Sequence, residues 1–376
     1  MKTLGFPRMH KEKGEIRAFL PDFFEKLEVN GAKIYIEEGY GSKMGYKKED
    51  YLSVNKNIEF VSKEESYKQD IIIVLRSPEF DELELIPDGK ILVSMLHYPT
   101  RAKRIKVLKR KNIKAVSLDS IRGDFLQRLV FNAKGTSLHG MEIAFSELEK
   151  IKSDFYSNTR GPLEVSIIGM GMVGLQAGKA ASKFALPEIA KKIKEAKAKG
   201  VLINMLPRNI TSDREEMIKI LKRTDILVDA STRDNPYEYI VDNELLGNLK
   251  KEAIILDLTA DPYLVDEEGI QVKAIEGIPT GTLDKYVIYK DDKEYYDIPD
   301  TVNTSNRRTV VSCDAWPGVK PRECMELYAV QMLPLITKLL EKEFDEMSLE
   351  SPYYFERAIY RATLDYFFKY DKIKTE

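Results

Sequence analysis

Apolar runs of four to six residues alternate with helical segments along most of this chain, and together they predict an α/β protein of two Rossmann-like domains. The central domain is expected to be a doubly wound parallel sheet that binds a dinucleotide. Two further observations point the same way. The run Val165-Ser166-Ile167-Ile168 leads into Gly169-Met170-Gly171-Met172-Val173-Gly174, the Gly-x-Gly-x-x-Gly spacing at a strand-to-helix junction. The length, 376 residues, exceeds one ordinary core and suits two.

The elements follow in order. Met1 to Pro7 reads as a strand, Asp22 to Asn30 as a helix closed by Gly31, and Lys33 to Glu37 as a second strand, a βαβ opening. Strands at Ile71 to Leu75, Ile91 to Ser94 and Lys114 to Ser117 follow, with a helix at Arg101 to Lys111 between the last two. A long helix from Gly135 to Ile151 leads into the polar, proline-bearing stretch Lys152 to Pro162, which reads as an interdomain hinge. Beyond the glycine turn come a long helical region at Val173 to Lys199, strand Val201 to Leu206, helix Ser212 to Lys222 and strand Asp225 to Asp229. Helix Asn243 to Leu249 and strand Ile254 to Leu258 complete the series. Asp291 to Thr309 has no assigned element and reads as a lid, a hairpin or a contact with another chain. A long helix runs from Pro321 to Lys342, and the aromatic, amphipathic tail Pro352 to Tyr370 is expected to fold back on the first domain. The expected domains are therefore 1–134 with 322–376, for substrate and catalysis, and 135–321, for NAD(P).

Composition narrows the function classes. The net charge is −2 with 32% charged residues of both signs interspersed, so no basic face proposes nucleic acid. No apolar run reaches 18 residues and no apolar leader precedes the first strand, so no membrane role is expected. Two cysteines, Cys313 and Cys324, fit a reducing cytoplasm. No metal-ligand spacing stands out, and helices such as Gly135 to Ile151 make a homo-oligomer the expected assembly.

Each glycine of the turn has a physical task. Gly169 permits the tight turn, Gly171 lets the backbone approach a pyrophosphate, and Gly174 permits close contact between helix and strand. Free N–H groups at the helix start, at Met172 and Val173, attract the anion. The alternative is a glycine-rich turn in an α/β protein of another kind. Strand Val201 to Leu206 ends in Pro207-Arg208-Asn209 with no carboxylate before Asp213. An acidic residue there accepts from the ribose 2′-hydroxyl of NAD, so Arg208 favours NADP over NAD. The alternative is an insertion within Val173 to Lys199 that displaces the second strand. Ser231 and Thr259, at later strand ends, are placed beside the ribose and nicotinamide.

Five ordered segments carry a resemblance over nearly the whole length. They are Gly5-Phe6-Pro7 with Glu15-Ile16-Arg17-Ala18, then Leu75-Arg76-Ser77-Pro78, Met95-Leu96-His97, Leu256-Asp257-Leu258-Thr259-Ala260-Asp261, and Trp316-Pro317-Gly318-Val319-Lys320-Pro321-Arg322. In these the chain resembles the superfamily of alanine dehydrogenase, pyridine nucleotide transhydrogenase and lysine-forming saccharopine dehydrogenase, which includes carboxyethylornithine synthase.

The resemblance implies hydride transfer between a nicotinamide and the carbon of a C–N bond, with a 2-oxo acid and an amino acid or ammonia as substrates. It implies that Arg17 takes the carboxylate of the oxo acid, because a guanidinium holds a planar carboxylate through two parallel hydrogen bonds. His97 is the implied acid/base, since imidazole titrates near working pH, and Asp261 orients the substrate or activates water or amine. The alternative for His97 is a capped histidine at a strand end. The remaining histidines, His10 and His139, read as surface or packing residues. Where alanine and saccharopine dehydrogenases carry a lysine, this chain has Arg76, which can hold a carboxylate but cannot give up a proton. That departure favours opine-type condensation of a 2-oxo acid with an amino acid over alanine dehydrogenation proper. Arg76 as a surface ion-pairing residue is the alternative. A catalytically inactive, nucleotide-binding regulatory protein remains the reading from another class, and proton-coupled transhydrogenation is disfavoured by the lack of an apolar span.

Overall fold

A computed structural model describes residues 2–27, 31–233, 235–259, 261–265 and 269–371. The chain divides into two units, Met1–Asn132 with Lys320–Glu376, and Ala133–Val319.

The first unit is built on six strands: β1 (Thr3–Phe6), β2 (Lys33–Glu37), β3 (Ile58–Val61), β4 (Ile71–Arg76), β5 (Ile91–Met95) and β6 (Lys114–Ser117). Their order in the sheet is β3-β2-β1-β4-β5-β6 and every pairing is parallel. Side chains alternate between two apolar layers. Leu4, Phe6, Ile34, Ile36, Ile71, Ile73, Leu75 and Val93 point into one core, and Ile72, Val74, Leu92 and Ala115 into the other. Coverage on both faces explains why Ile71-Ile72-Ile73-Val74-Leu75 is an unbroken apolar run rather than an alternating one. The first layer is closed by helix Pro21–Leu27 and by helix Pro321–Glu341, which contributes Met325, Tyr328, Met332, Leu335, Ile336 and Leu339. Strand β3 has no counterpart in the sequence reading. It is a four-residue edge strand with a single buried position, and its periodic signal is correspondingly weak. Residues 28–30 of the expected Asp22–Asn30 helix lie outside the described residues.

The second unit contains β7 (Leu163–Ile168), β8 (Val201–Leu206), β9 (Ile226–Asp229), β10 (Ile254–Asp257), the small hairpin β11 (Leu264–Val265) and β12 (Ile270–Gln271), β13 (Val287–Ile288) and β14 (Thr309–Ser312). The main sheet runs β13-β14-β10-β9-β7-β8, parallel except for the antiparallel edge strand β13. The chain leaves β7 for β8 on one side and reaches β9 on the other, so a crevice opens beyond the carboxyl end of β7. The region Val173 to Lys199 is two helices, Met172–Ala181 and Pro187–Glu195. Phe184 and Ala185 take left-handed φ values of 58° and 57°, and Leu186 is extended ahead of Pro187, as a residue before proline must be. Strand β8 stands at Val201–Leu206, and no insertion displaces it.

Two expectations are corrected here. Lys152 to Pro162 is not an interdomain hinge, because it lies inside the second unit, with Phe155 in the core and Arg160 nine-tenths buried. Of the readings lid, hairpin or contact with another chain for residues 291–309, the lid is the one corrected, because the segment is packed. Tyr295, Ile298 and Val302 enter the core, and the Tyr295 hydroxyl donates to the Arg308 carbonyl at 2.6 Å. Among the described residues no helix is long and apolar enough to cross a membrane.

Candidate active site

In the first unit the candidate residues gather at the carboxyl ends of the strands. Strands β1 and β4 are neighbours, yet the chain leaves them toward opposite edges of the sheet, so their following segments diverge and leave a crevice. The segment after β1 supplies Glu12, Glu15 and Arg17, and the end of β4 supplies Arg76. Glu15 grips Arg17 through two hydrogen bonds, Nε to Oε1 at 2.9 Å and Nη2 to Oε2 at 2.6 Å. The same Glu15 carboxylate accepts from Arg76 Nη1 at 3.3 Å, and Arg76 also pairs with Glu12. Arg17 turns Nη1 toward the buried Cys324 sulfur at 3.8 Å.

This cluster brings Arg17 and Arg76 together, so Arg76 is no isolated surface ion-pairing residue. Its side chain is only 12% exposed. Burial would raise the Glu15 pKa, but the two guanidinium groups outweigh it and hold the carboxyl below its ordinary value. His10, read from sequence as a surface or packing residue, has a defined partner: its Nε2 lies 2.7 Å from Glu37 Oε1 at the end of β2.

His97 follows β5 with a left-handed backbone, φ 49°, a conformation that costs energy for a residue with a Cβ. Asp119, just after β6, holds it there. Asp119 Oδ1 accepts the His97 backbone N–H at 3.2 Å and the Ser117 hydroxyl at 2.6 Å, and Asp119 Oδ2 lies 3.6 Å from His97 Nδ1. The imidazole is half exposed, so it is available to a ligand rather than sealed in the core. Partial burial lowers its pKa and Asp119 raises it, while Arg101, Arg128 and Arg104 lower it further. The net shift is downward. With half the ring in water, the three guanidinium groups are the more substantial cause. Asp119 went unnoticed in the sequence. Its only signal there is an acid just past the end of a strand that neighbours the His97 strand.

In the second unit the glycine turn has the geometry its spacing requires. Gly169 has φ 99°, and a Cβ on it would come within 2.4 Å of the Ala230 carbonyl oxygen. A Cβ on Gly174 would come within 2.2 Å of the Gly169 carbonyl oxygen. Nothing lies within 4 Å of the Cβ position of Gly171. Helix Met172–Ala181 starts on Gly171, which has no side chain to cap it, so the first-turn N–H groups, those of Met172, Val173 and Gly174 included, are not taken by an N-cap side chain. Open space at the middle glycine and an uncapped helix start fit a pyrophosphate. Arg208 is exposed at the first position of helix Arg208–Thr211, directly after β8. Asp213 caps the next helix by accepting from the Glu215 and Glu216 N–H groups, which commits the nearest carboxylate to another task.

The next two strand ends repeat one device. Asp229 Oδ1 accepts both the N–H and the hydroxyl of Ser231, at 3.0 and 2.7 Å. Asp257 Oδ1 accepts both from Thr259, at 3.0 and 2.9 Å. Strands β9 and β10 pair Asp229 with Asp257, placing two carboxyl groups side by side in the interior. Only one is compensated. Asp257 Oδ2 receives the fully buried Lys273 ammonium at 2.7 Å and the Ser312 hydroxyl at 2.9 Å, and its pKa stays low despite burial. Among the described residues Asp229 Oδ2 has no hydrogen-bond partner, and burial beside Asp257 pushes the Asp229 pKa up to about 6. Asp261 is ion-paired to Arg233 at 2.7 Å, and Ala260 lies outside the described residues. The Trp316 indole donates to the Asp257 carbonyl at 2.7 Å, which seats the Trp-Pro-Gly turn on the end of β10. Neither Lys273 nor Arg233 was foreseen, because a buried ion pair between distant segments leaves no periodic trace.

The raised Asp229 pKa has a sign that can be tested. A carboxyl whose folded pKa exceeds its unfolded value of 3.8 penalises the folded state increasingly as pH climbs from about 4 to about 6. The Asp229→Asn variant removes that charge and should be more stable than the parent by roughly 2 kcal/mol near pH 8, with no gain near pH 4. Thermal unfolding at both values checks it. Destabilisation at both would mean that the ionised carboxylate is required.

Comparison with known proteins places these features among relatives. The family described as alanine dehydrogenase/PNT, N-terminal domain, matches residues 7–131. The alanine dehydrogenase of Methanococcus maripaludis is 24% identical over 292 residues, covering 74% of this chain and 75% of that protein. The N(5)-(carboxyethyl)ornithine synthase of Clostridium botulinum is 26% identical over 307 residues, covering 78% and 85%. A solved L-alanine dehydrogenase superposes with a TM-score of 0.67 at 15% identity, over 96% of this chain and 94% of that one, a likeness of fold.

Proposed function

We propose that this chain, whose residues 7–131 match the family described as alanine dehydrogenase/PNT, N-terminal domain, is an NAD(P)-dependent oxidoreductase acting on the C–N bond of an amino acid. The glycine turn at the end of β7, open at Gly171 and leading into an uncapped helix, carries the reading. A nicotinamide dinucleotide, when bound, supplies or accepts the hydride.

The chain's own residues would do the rest. The Met172, Val173 and Gly174 N–H groups would bind the pyrophosphate, and the ribose and nicotinamide would lie against Ser231 and Thr259. Exposed Arg208 suits the additional 2′-phosphate of NADP. His97, oriented by Asp119, would protonate the oxygen or nitrogen of a carbinolamine formed by the 2-oxo acid and the amine. Its depressed pKa favours the neutral ring, the form that accepts the proton in the reverse direction. Asp261 would orient the amine or activate water. Arg101, Arg104 and Arg128 around His97 favour an anionic substrate.

Arg17 and Arg76 would hold carboxylate. Each already engages a glutamate, so a substrate carboxylate competes with Glu12 and Glu15 for guanidinium groups arranged to receive one. Two such groups in one cluster suit a product with two carboxylates, as in condensation of a 2-oxo acid with an amino acid. Alanine dehydrogenation is the second reading, favoured by the Methanococcus relative.

The deciding experiment mixes the protein with NADPH or NADH, pyruvate or 2-oxoglutarate, and ammonia or a panel of amino acids, and follows dinucleotide absorbance. Oxidation that requires both carbon substrates supports condensation, and oxidation with pyruvate and ammonia supports alanine dehydrogenation. Tight dinucleotide binding with no turnover on any pair would instead mean a nucleotide-responsive regulatory protein.

The glycines separate binding from folding. Gly171→Ala should leave unfolding stability within about 0.5 kcal/mol, because its Cβ meets nothing, yet weaken NAD(P)H binding about tenfold or more. Gly174→Ala should impair both, costing about 1–3 kcal/mol as the loop shifts to clear the Gly169 carbonyl. Fluorescence titration and thermal melts of the two variants check the contrast. Equal dinucleotide affinity in parent and Gly171→Ala would remove the pyrophosphate from this turn.

A further inference from the structure

Ligands of open parallel sheets gather beyond the carboxyl ends of the strands, where Gly169 lies. At the opposite, amino-terminal edge of the second unit's sheet there is an open cavity of about 340 Å³. Its lining comes from the segments that enter β7, β9 and β10, and β7 puts its floor ~20 Å from the glycine turn. Five cations line it, Lys152, Arg160, Lys222, Arg223 and Lys250, against three acids, Asp154, Glu164 and Asp225.

The acids do not satisfy the cations. Asp225 is buried and its Oδ1 is shared between Lys250 at 2.9 Å and Lys152 at 3.6 Å, while its Oδ2 accepts the Glu164 backbone N–H at 2.8 Å. Asp154 pairs with Lys152 at 3.0 Å. Glu164 reaches Arg223 only at 3.7 Å. Among the described residues Arg160 has no carboxylate within ion-pair distance, and Asp154 and Asp225 act on it only from farther away. Its Nε and Nη1 donate to the Phe155 and Gly161 carbonyls, at 2.7 and 2.6 Å, and Nη2 has no hydrogen-bond partner among the described residues in a side chain whose residue is only 7% exposed. A buried donor without an acceptor is rare in folded proteins, and a guanidinium edge in a cation-rich cavity is suited to a carboxylate or phosphate oxygen.

We propose that this cavity is a second binding site, for a compact multivalent anion bearing phosphate or carboxylate groups, with Arg160 at its wall and Lys222 and Arg223 at its mouth. The site is separate from the dinucleotide turn and does not depend on the redox reading, since a protein without turnover would still bind there. A small anionic metabolite held at this end would touch the loops that begin β7 and β9, the strands that present the glycine turn and Asp229 at their far ends.

Calorimetric titration of the full chain with pyrophosphate and, separately, citrate, at about 150 mM salt, tests the proposal. For at least one of the two, one site per chain that substitution of its cations weakens is expected, and the anion bound there identifies the group; pyrophosphate binding that such substitution leaves intact belongs to the glycine turn. The paired variant Lys222→Ser and Arg223→Ser should weaken that site tenfold or more with an unchanged circular dichroism spectrum, since both side chains are exposed and make no short contact. Arg160→Lys, which keeps the charge and removes the orphan donor, should also weaken it. If Arg160→Lys does not fold, the exposed pair still decides. No binding of either anion, or affinity within twofold of the parent in the exposed pair, would overturn the assignment.

Discussion

Replacing His97 with alanine should cut turnover by about a hundredfold or more while leaving NAD(P)H affinity within about twofold. The split follows from where the groups stand. His97 belongs to the first unit's sheet, and the pyrophosphate-binding turn belongs to the second. Its ring is half exposed and supports no core, so stability should barely change. Asp119→Asn is the companion variant. It retains an acceptor for the His97 N–H but removes the charge that opposes the three arginines, so the histidine should titrate lower and the acidic limb of the pH–rate profile should move down in pH. Steady-state rates across pH, with a separate binding titration, check both. Turnover of His97→Ala within about twofold of the parent would end the acid/base assignment.

Lys273→Met should be the most damaging single change to stability, about 3–5 kcal/mol. The ammonium is fully buried and neutralises Asp257, which is also buried and sits beside Asp229. Without it, two uncompensated carboxyl groups share an apolar interior. The loss should shrink toward acidic pH, where Asp257 can take up a proton, and the double variant Lys273→Met with Asp257→Asn should recover part of it. Chemical denaturation at two pH values measures this. A loss below about 1 kcal/mol at neutral pH would mean that Asp257 is already protonated and that the ion pair is not formed.

The parts legible in the sequence are those carried by local patterns. Strands β2, β6 and β8 and the glycine turn stand where period and spacing predict them, because a strand covered on both faces must be apolar and the turn needs glycine at defined steps. The first unit's return through Pro321–Glu341 follows from that helix's apolar stripe. What escaped is non-local or compensatory. Edge strand β3 spans only four residues, the helical composition of Val173 to Lys199 hid the break before Pro187, and the polar, proline-bearing composition of Lys152 to Pro162 made a buried segment look like a hinge. In the candidate site, Arg17, Arg76 and His97 could be singled out one at a time. The carboxylates that hold them, Glu12, Glu15 and Asp119, could not, since acids are common in loops and only the fold brings these beside their partners.

Helix Pro321–Glu341 closes one face of a sheet whose strands are all encoded within the first 117 residues. During synthesis that face waits, apolar and only partly covered by helix Pro21–Leu27, until some two hundred further residues have left the ribosome, whereas the second unit is continuous and can complete its core sooner. The early half is therefore the aggregation-prone one. Nascent chains stalled before Pro321 should depend on chaperones, and a product ending there should be insoluble even though every strand of its first sheet is present.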